Sequence, residues 1–133
     1  MIKTRIVSKY LYKNYLKKAE EYFDAMNDQF DKQNFNACVL NAIHCAISSS
    51  DALTVFFKGV RHAGEKHEDV IRLLLDLDLD ENILTSKTRQ LSNLLSIKNQ
   101  IEYEEKLSSD KGAEIAKNNA ERFFGWVKEV LKE

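Results

Sequence analysis

Four residues within "SIKNQIEYEEKL", positions 96 to 107, have the chemistry of a ligand site: Lys98, Asn99, Glu102 and Tyr103. A lysine ammonium holds a phosphate as a point charge, an amide and a phenol form hydrogen bonds, and a carboxylate four residues on can orient the ammonium. The setting of the lysine is unusual. Ile83, Leu84, Leu91, Leu94, Leu95 and Ile101 recur at helical spacing, and Lys98 projects close to the centre of that apolar stripe. An unpaired ammonium in a core would lose its proton or leave, so Lys98 must meet an acid, reach the edge, or line a polar cavity. Glu102, about 40° away round the helix, is the local partner. Asp51, the sole acid in the middle of another apolar segment, is the expected long-range partner. Asn99 and Tyr103 form a second i,i+4 pair, about 100° or more from Lys98, so one helix does not aim all four groups into one pocket. A pocket shared by two copies would use both edges. The plainer alternative is an ion pair that fixes helix register beside an ordinary interface aromatic.

A second cluster lies in "FKGVRHAGEKHE", where Lys58, Arg61, His62, Lys66 and His67 precede a helix start. Free N–H groups there favour anions, which makes Arg61 and His67 secondary anion-binding candidates. A solvated loop with His67 capping the turn is the competing reading, because Glu65, Glu68 and Asp69 oppose an anion. No metal is expected. His44 and Cys45 diverge by about 100° on a helix, and no paired ligand spacing is present. "DLDLDE", 76 to 81, lacks the glycine and the twelfth-position acid of a calcium loop and reads as a helix exit followed by an acidic helix entry. The first 18 residues carry Lys3, Arg5, Lys9, Lys13, Lys17 and Lys18 and no acid. They describe either an RNA-binding stripe or the wet face of an amphipathic helix, and the wet face is the expectation.

The elements that must position these groups are helical. The 133 residues include no Pro and four Gly, and the 20 basic against 21 acidic side chains exclude a global electrostatic pull on nucleic acid. One domain, 1–133, is expected. Leu11, Tyr15, Ala19, Tyr22, Phe23, Met26 and Phe30 predict a first helix ending near Lys32. A second, from about Asn34 to Phe57, has no formal charge between Gln33 and Ser50 and is expected to be central or to form a subunit interface. A short third follows from Glu65 to Leu77, a long fourth from Glu81 to Leu107, and a fifth from Ala113 to Leu131, with Ser109 and Asp110 as N-cap candidates. The predicted fold class is all-α, an up-and-down antiparallel four-helix bundle with one additional short helix. Cys38 and Cys45, about 10 Å apart on one helix, are read as small apolar groups rather than a disulfide. The second segment is too polar to cross a bilayer unassisted and the N-terminus lacks an apolar run, so a cytoplasmic protein away from membranes is expected.

"LSIKNQIEYEEKLSSDKGAEIAKNNAERFF", "ACVLNAIHCAISSSDAL" and "GEKHEDVIRLLLDL" together resemble the small prokaryotic HEPN-domain proteins. In those proteins an alanine-rich second helix carries an internal Asp, a Gly-x-x-His element opens the next helix, and a basic-Asn-x-x-acidic-Tyr motif closes the fourth. The resemblance covers about residues 10 to 131. It implies a homodimer whose motif groups gather near the subunit interface and contact nucleotides or RNA, with no cofactor. In ribonuclease members of the family an Arg is followed, four to six residues later, by a His. Here Lys98 stands at the Arg position and Tyr103 at the His position. A Tyr, with a pKa of about 10, is a poor proton carrier at neutral pH. The resemblance therefore implies a nucleotide- or RNA-binding module without ribonuclease activity. The alternatives are a ribonuclease-type toxin acting with a nucleotidyltransferase or antitoxin partner, and a structural dimerising adapter.

Overall fold

The helix without formal charge up to Ser50 lies at the centre. In the computed structural model, which describes residues 2–132, the chain runs β1 (Thr4–Ile6), a 3-10 turn (Lys9–Leu11), α1 (Tyr12–Asp31), α2 (Phe35–Lys58), β2 (Val60–His62), α3 (His67–Leu75), α4 (Glu81–Ser96), α5 (Lys98–Tyr103) and α6 (Asp110–Leu131). α1 and α6 pack along α2, and α3, α4 and α5 also touch it. The core joins Met26 of α1, Ile43 and Leu53 of α2, Leu74 of α3, Leu91 and Leu94 of α4, and Phe123 and Val127 of α6. Each such side chain contributes about 1.5–3 kcal/mol by leaving water. Cys38 and Cys45 are free thiols buried in the same core. By length and hydropathy α2 would pass as a membrane span, yet 67% of its apolar window is buried inside the bundle. Its lack of charge is accounted for within one chain.

Capping sets the helix ends. Ser109 Oγ accepts from the Gly112 amide at 2.9 Å to open α6, and Asp80 Oδ1 accepts from the Ile83 amide at 3.0 Å to open α4. The "DLDLDE" stretch is indeed a helix exit and entry: Leu77 is buried, and Asp76 pairs with Lys58 at 2.7 Å. α1 closes with the Asn34 amide donating to Gln29 O and the Gln33 amide to Phe30 O, which places Gln33 in the left-handed region at φ 62°.

Two expectations need correction. The loop after α2 holds a strand: β2 pairs antiparallel with β1, Arg5 opposite Arg61. Gly59, at φ 66°, lets the chain leave α2 directly into this strand, and a methyl group there would also meet Val7 O at 3.4 Å. The fourth helix is not continuous to Leu107. It stops at Ser96 and restarts at Lys98, with Ile97 at φ −101°, ψ 0°. Ser96 Oγ donates to Asn93 O at 2.8 Å, occupying the carbonyl that the Ile97 amide would take in an α-helix; that amide turns to Leu94 O at 3.3 Å instead. Beyond Tyr103 the chain is irregular, and Leu107 is exposed.

The left-handed Gln33 generates a stability prediction. Gln33→Gly relieves the Cβ clash at the helix end and stabilises the fold by about 0.5–1 kcal/mol. Urea denaturation measures this; a lower midpoint for the variant would contradict it.

Candidate functional site

The helix break and the strand pairing meet at one cavity of about 620 Å³. Ile47 and Asp51 of α2 line one side; Arg61 to Glu65 of β2 and the following loop line another. His67 and Val70 of α3, Leu95 of α4, and Lys98, Asn99 and Tyr103 of α5 complete it. Ile47, Val70 and Leu95 supply apolar contact, and the remaining lining is mostly polar or charged. The secondary anion candidates Arg61 and His67 therefore share a site with Lys98, Asn99, Tyr103 and Asp51. Of the six primary and secondary candidates apart from Glu102, all six face this cavity.

Glu102 turns the other way and holds the lysine. Lys98 Nζ donates to Glu102 Oε2 at 3.0 Å, with the two side chains 20% and 15% exposed. Glu102 Oε1 lies 3.8 Å from His44 Nε2, and the His44 ring stacks on Tyr22 with centroids 5.3 Å apart. The hydrogen bond from Lys98 holds the Glu102 carboxyl below the usual carboxylate range, despite the opposing effect of burial. Burial lowers the His44 pKa more than Glu102 raises it, so His44 is neutral at neutral pH. No ion pair joins Lys98 to Asp51 among the described residues; the expected long-range partnership is replaced by two groups lining one cavity.

Asp51 answers to other cations. Burial pushes its pKa up to about 7, against the lowering effects of Arg61 and Lys18. Near neutral pH the carboxyl is partly protonated, which weakens its repulsion of an anion in the cavity. The Arg61 Nε donates to His62 O at 3.2 Å. Burial lowers the His62 pKa, with Asp69 acting in the opposite direction, and His62 Nε2 is buried without a hydrogen-bond partner. His67 does not cap its helix: Lys66 occupies the N-cap and no side chain bonds there. Lys58 faces away, paired with Asp76. Among the described residues no group of three or more His, Cys, Asp and Glu is placed to hold a metal ion.

Sequence reasoning missed the role of His62 and of the apolar residues Ile47, Val70 and Leu95. The loop cluster was visible, but the three-residue strand that brings Arg61 and His62 to the cavity has no periodic signal of its own.

The elevated Asp51 pKa predicts a pH-dependent stability difference. The folded carboxyl keeps its proton up to about pH 7, whereas the unfolded one releases it near pH 4. Asp51 therefore lowers stability progressively as pH rises between those values. Asp51→Asn removes that loss, gaining on the order of a few kcal/mol over wild type at pH 8 and little at pH 4. Denaturant titrations at both pH values test it; a gap that does not widen with pH would contradict the assignment.

Comparison with curated proteins found no match at a significant level. The model of the HEPN domain matches residues 12–130, nearly the whole bundle from the start of α1 to the last turn of α6. The chain belongs to the HEPN domain family.

Proposed function

We propose that this chain is a nucleotide- or RNA-binding HEPN module that holds a phosphate in the cavity between α2, β2, α3 and α5. The observation that carries this reading is the meeting of Lys98, Arg61 and His67, from three separate segments, on one cavity. Its volume of about 620 Å³ falls within the range of roughly 300–1,000 Å³ typical of small-molecule sites. Lys98 contacts the phosphate as a point charge while Glu102 orients it from behind. Arg61 supplies a second cation, Asn99 supplies hydrogen bonds, and Tyr103, 78% exposed at the edge, offers a stacking face. A second copy approaching the α5 edge would complete the surroundings of Asn99 and Tyr103, and we take the working assembly to be a homodimer.

The module binds without cleaving, because a Lys and a Tyr stand where ribonuclease members have Arg and His. One observation favours a second reading. His62 and His67 line the cavity, so imidazoles are present although the motif His is not, and a ribonuclease that draws its proton carrier from this loop is the alternative. Incubating the protein with RNA and a chelator separates the two: intact RNA is expected, and cleavage abolished by His67→Ala would establish the second.

For binding itself, Lys98→Met is the decisive variant. Loss of a charge-assisted contact worth about 1.5–3 kcal/mol lowers affinity for a labelled RNA roughly 10–100-fold. Unchanged affinity with a raised melting temperature would leave Lys98 as a structural ion pair only.

A further inference from the structure

A second hollow, where α1 begins and α6 ends, combines an apolar floor with a rim of lysines. Lys13, Leu16, Lys17 and Glu20 of α1 and Phe124 and Lys128 of α6 enclose about 200 Å³ there. Leu16 and Phe124, 9% and 3% exposed, form the floor. Three lysines thus face one acid, and their own partners hold them loosely. Lys17 lies 3.7 Å from Glu21 and Lys128 3.9 Å from Glu20, both longer than the roughly 2.7–2.9 Å of a charge-assisted hydrogen bond. No carboxylate comes within ion-pairing distance of Lys13 among the described residues. Lys13 also stands in the first turn of α1, which carries no acid. The helix dipole favours acids at that end, so the stability of α1 does not account for the lysines.

The complement lies elsewhere on the same chain. The turn from α3 to α4, "DLDLDE" at 76–81, puts four carboxylates into six residues with no cation among them. Asp76 is taken by Lys58 and Asp80 by the Ile83 amide. Asp78 and Glu81 are exposed and have no cation within ion-pairing distance among the described residues. Leu75, the last residue of α3, is 47% exposed beside them. The hollow is smaller than the roughly 300–1,000 Å³ of small-molecule sites and suits one anchoring side chain. α1 packs on α2 and α6, whereas α3 packs on α2, α4 and β2. Within one molecule the lysine rim and the acidic turn therefore do not meet.

We propose that the α1–α6 hollow receives the acidic α3–α4 turn of a second copy of this chain. Leu75 of that copy enters against Leu16 and Phe124, while its Asp78 and Glu81 meet Lys13, Lys17 and Lys128. The contact is heterologous: each copy offers its hollow to one neighbour and its turn to another, which builds a ring or a row of copies. It is separate from the phosphate-binding cavity and from a twofold contact at the α5 edge. Nucleic acid fits the hollow less well. Phe124 is buried and already covered by Lys128, 5.0 Å from its ring centroid, so no ring in the hollow offers a free face to a base. The charges involved are exposed, so their attraction weakens as salt rises.

The test is sedimentation velocity on the full chain, over a series of protein concentrations, in about 50 mM and about 500 mM salt. Wild type is expected to associate at low salt and to lose that association at high salt. The hollow variant Lys13→Glu/Lys17→Glu and the turn variant Asp78→Lys/Glu81→Lys change exposed positions only. Each is expected to weaken association at least about tenfold, because like charges then face one another. An equimolar mixture of the two regains it, since each variant supplies the sign that the other lacks. Leu75→Ser weakens association about threefold or more through lost apolar contact and keeps its salt dependence. Where a charge-reversed variant melts below wild type, Lys13→Gln and Asp78→Asn, which remove one charge each, replace it. A mass independent of salt and of both variants overturns the proposal, as does a mixture of well-folded variants that stays apart. Association lost in the hollow variant but kept in the turn variant and in Leu75→Ser places a different acidic segment in the hollow and overturns the assignment. Binding of a labelled single-stranded RNA that the hollow variant loses, with no association of wild type, gives the lysines to nucleic acid and also overturns it.

Discussion

A helix with no formal charge over seventeen consecutive positions, 34 to 50, must be covered almost all round, and the rest of the structure is arranged to cover it. α1 and α6 do most of this work, and Ala-rich, Ser-rich turns let them come close. In the middle of α2 the residues that stay incompletely covered are Ala37, Leu40, Asn41, His44, Ile47 and Asp51. Their steps of three and four make one stripe. His44 on that stripe meets Glu102, while Ile47 and Asp51 face the cavity. The site therefore lies where the cover over α2 runs out, and that place is set by where α4 stops. Had the fourth helix continued unbroken past Ile97, its residues would have followed one axis. The break gives α5 a separate placement against α2.

Burial and charge are then in opposition, and their magnitudes decide the outcome group by group. Lys98 and Glu102 are only partly shielded, so their pair adds little to stability, about 1 kcal/mol or less. Its consequence is positional: an ammonium tethered from behind cannot swing into solvent. Asp51 is in the reverse situation. No cation comes within ion-pairing range among the described residues, desolvation outweighs Arg61 and Lys18, and its pKa rises to about 7. The cavity lining sets Lys98 and Arg61 against Glu65 and Asp51, so its formal charges nearly cancel, and the raised pKa of Asp51 takes part of the negative charge away.

The helices were legible because their signal is periodic. Leu16, Ala19 and Met26 are buried in α1 and Ala113, Ala116, Ala120 and Phe123 in α6 at the spacing the sequence displays. The break at Ile97 was not, since no Gly or Pro marks it. The Ser96 hydroxyl takes the Asn93 carbonyl at the break, a local bond that composition does not reveal. The ribbon was hidden for a different reason: Thr4–Ile6 and Val60–His62 are three residues each and are separated by the whole of α1 and α2. Lys98 was legible as an anomaly in an apolar stripe, and Asn99 and Tyr103 as a second i,i+4 pair on the adjoining edge. Their union with Arg61 and His67 was not, because it depends on two features without periodicity.

These placements bear on which elements supply the chemistry of the cavity. In this chain α5 brings Lys98 and Tyr103 to the cavity, a point charge and an aromatic phenol. Asp51, whose pKa burial raises to about 7, comes from α2, and the imidazoles of His62 and His67 come from the segment after Gly59. Cations and imidazoles thus meet at one cavity from α5 and from β2 and its loop. The chemistry open to the cavity therefore depends on β2 and its loop as much as on α5.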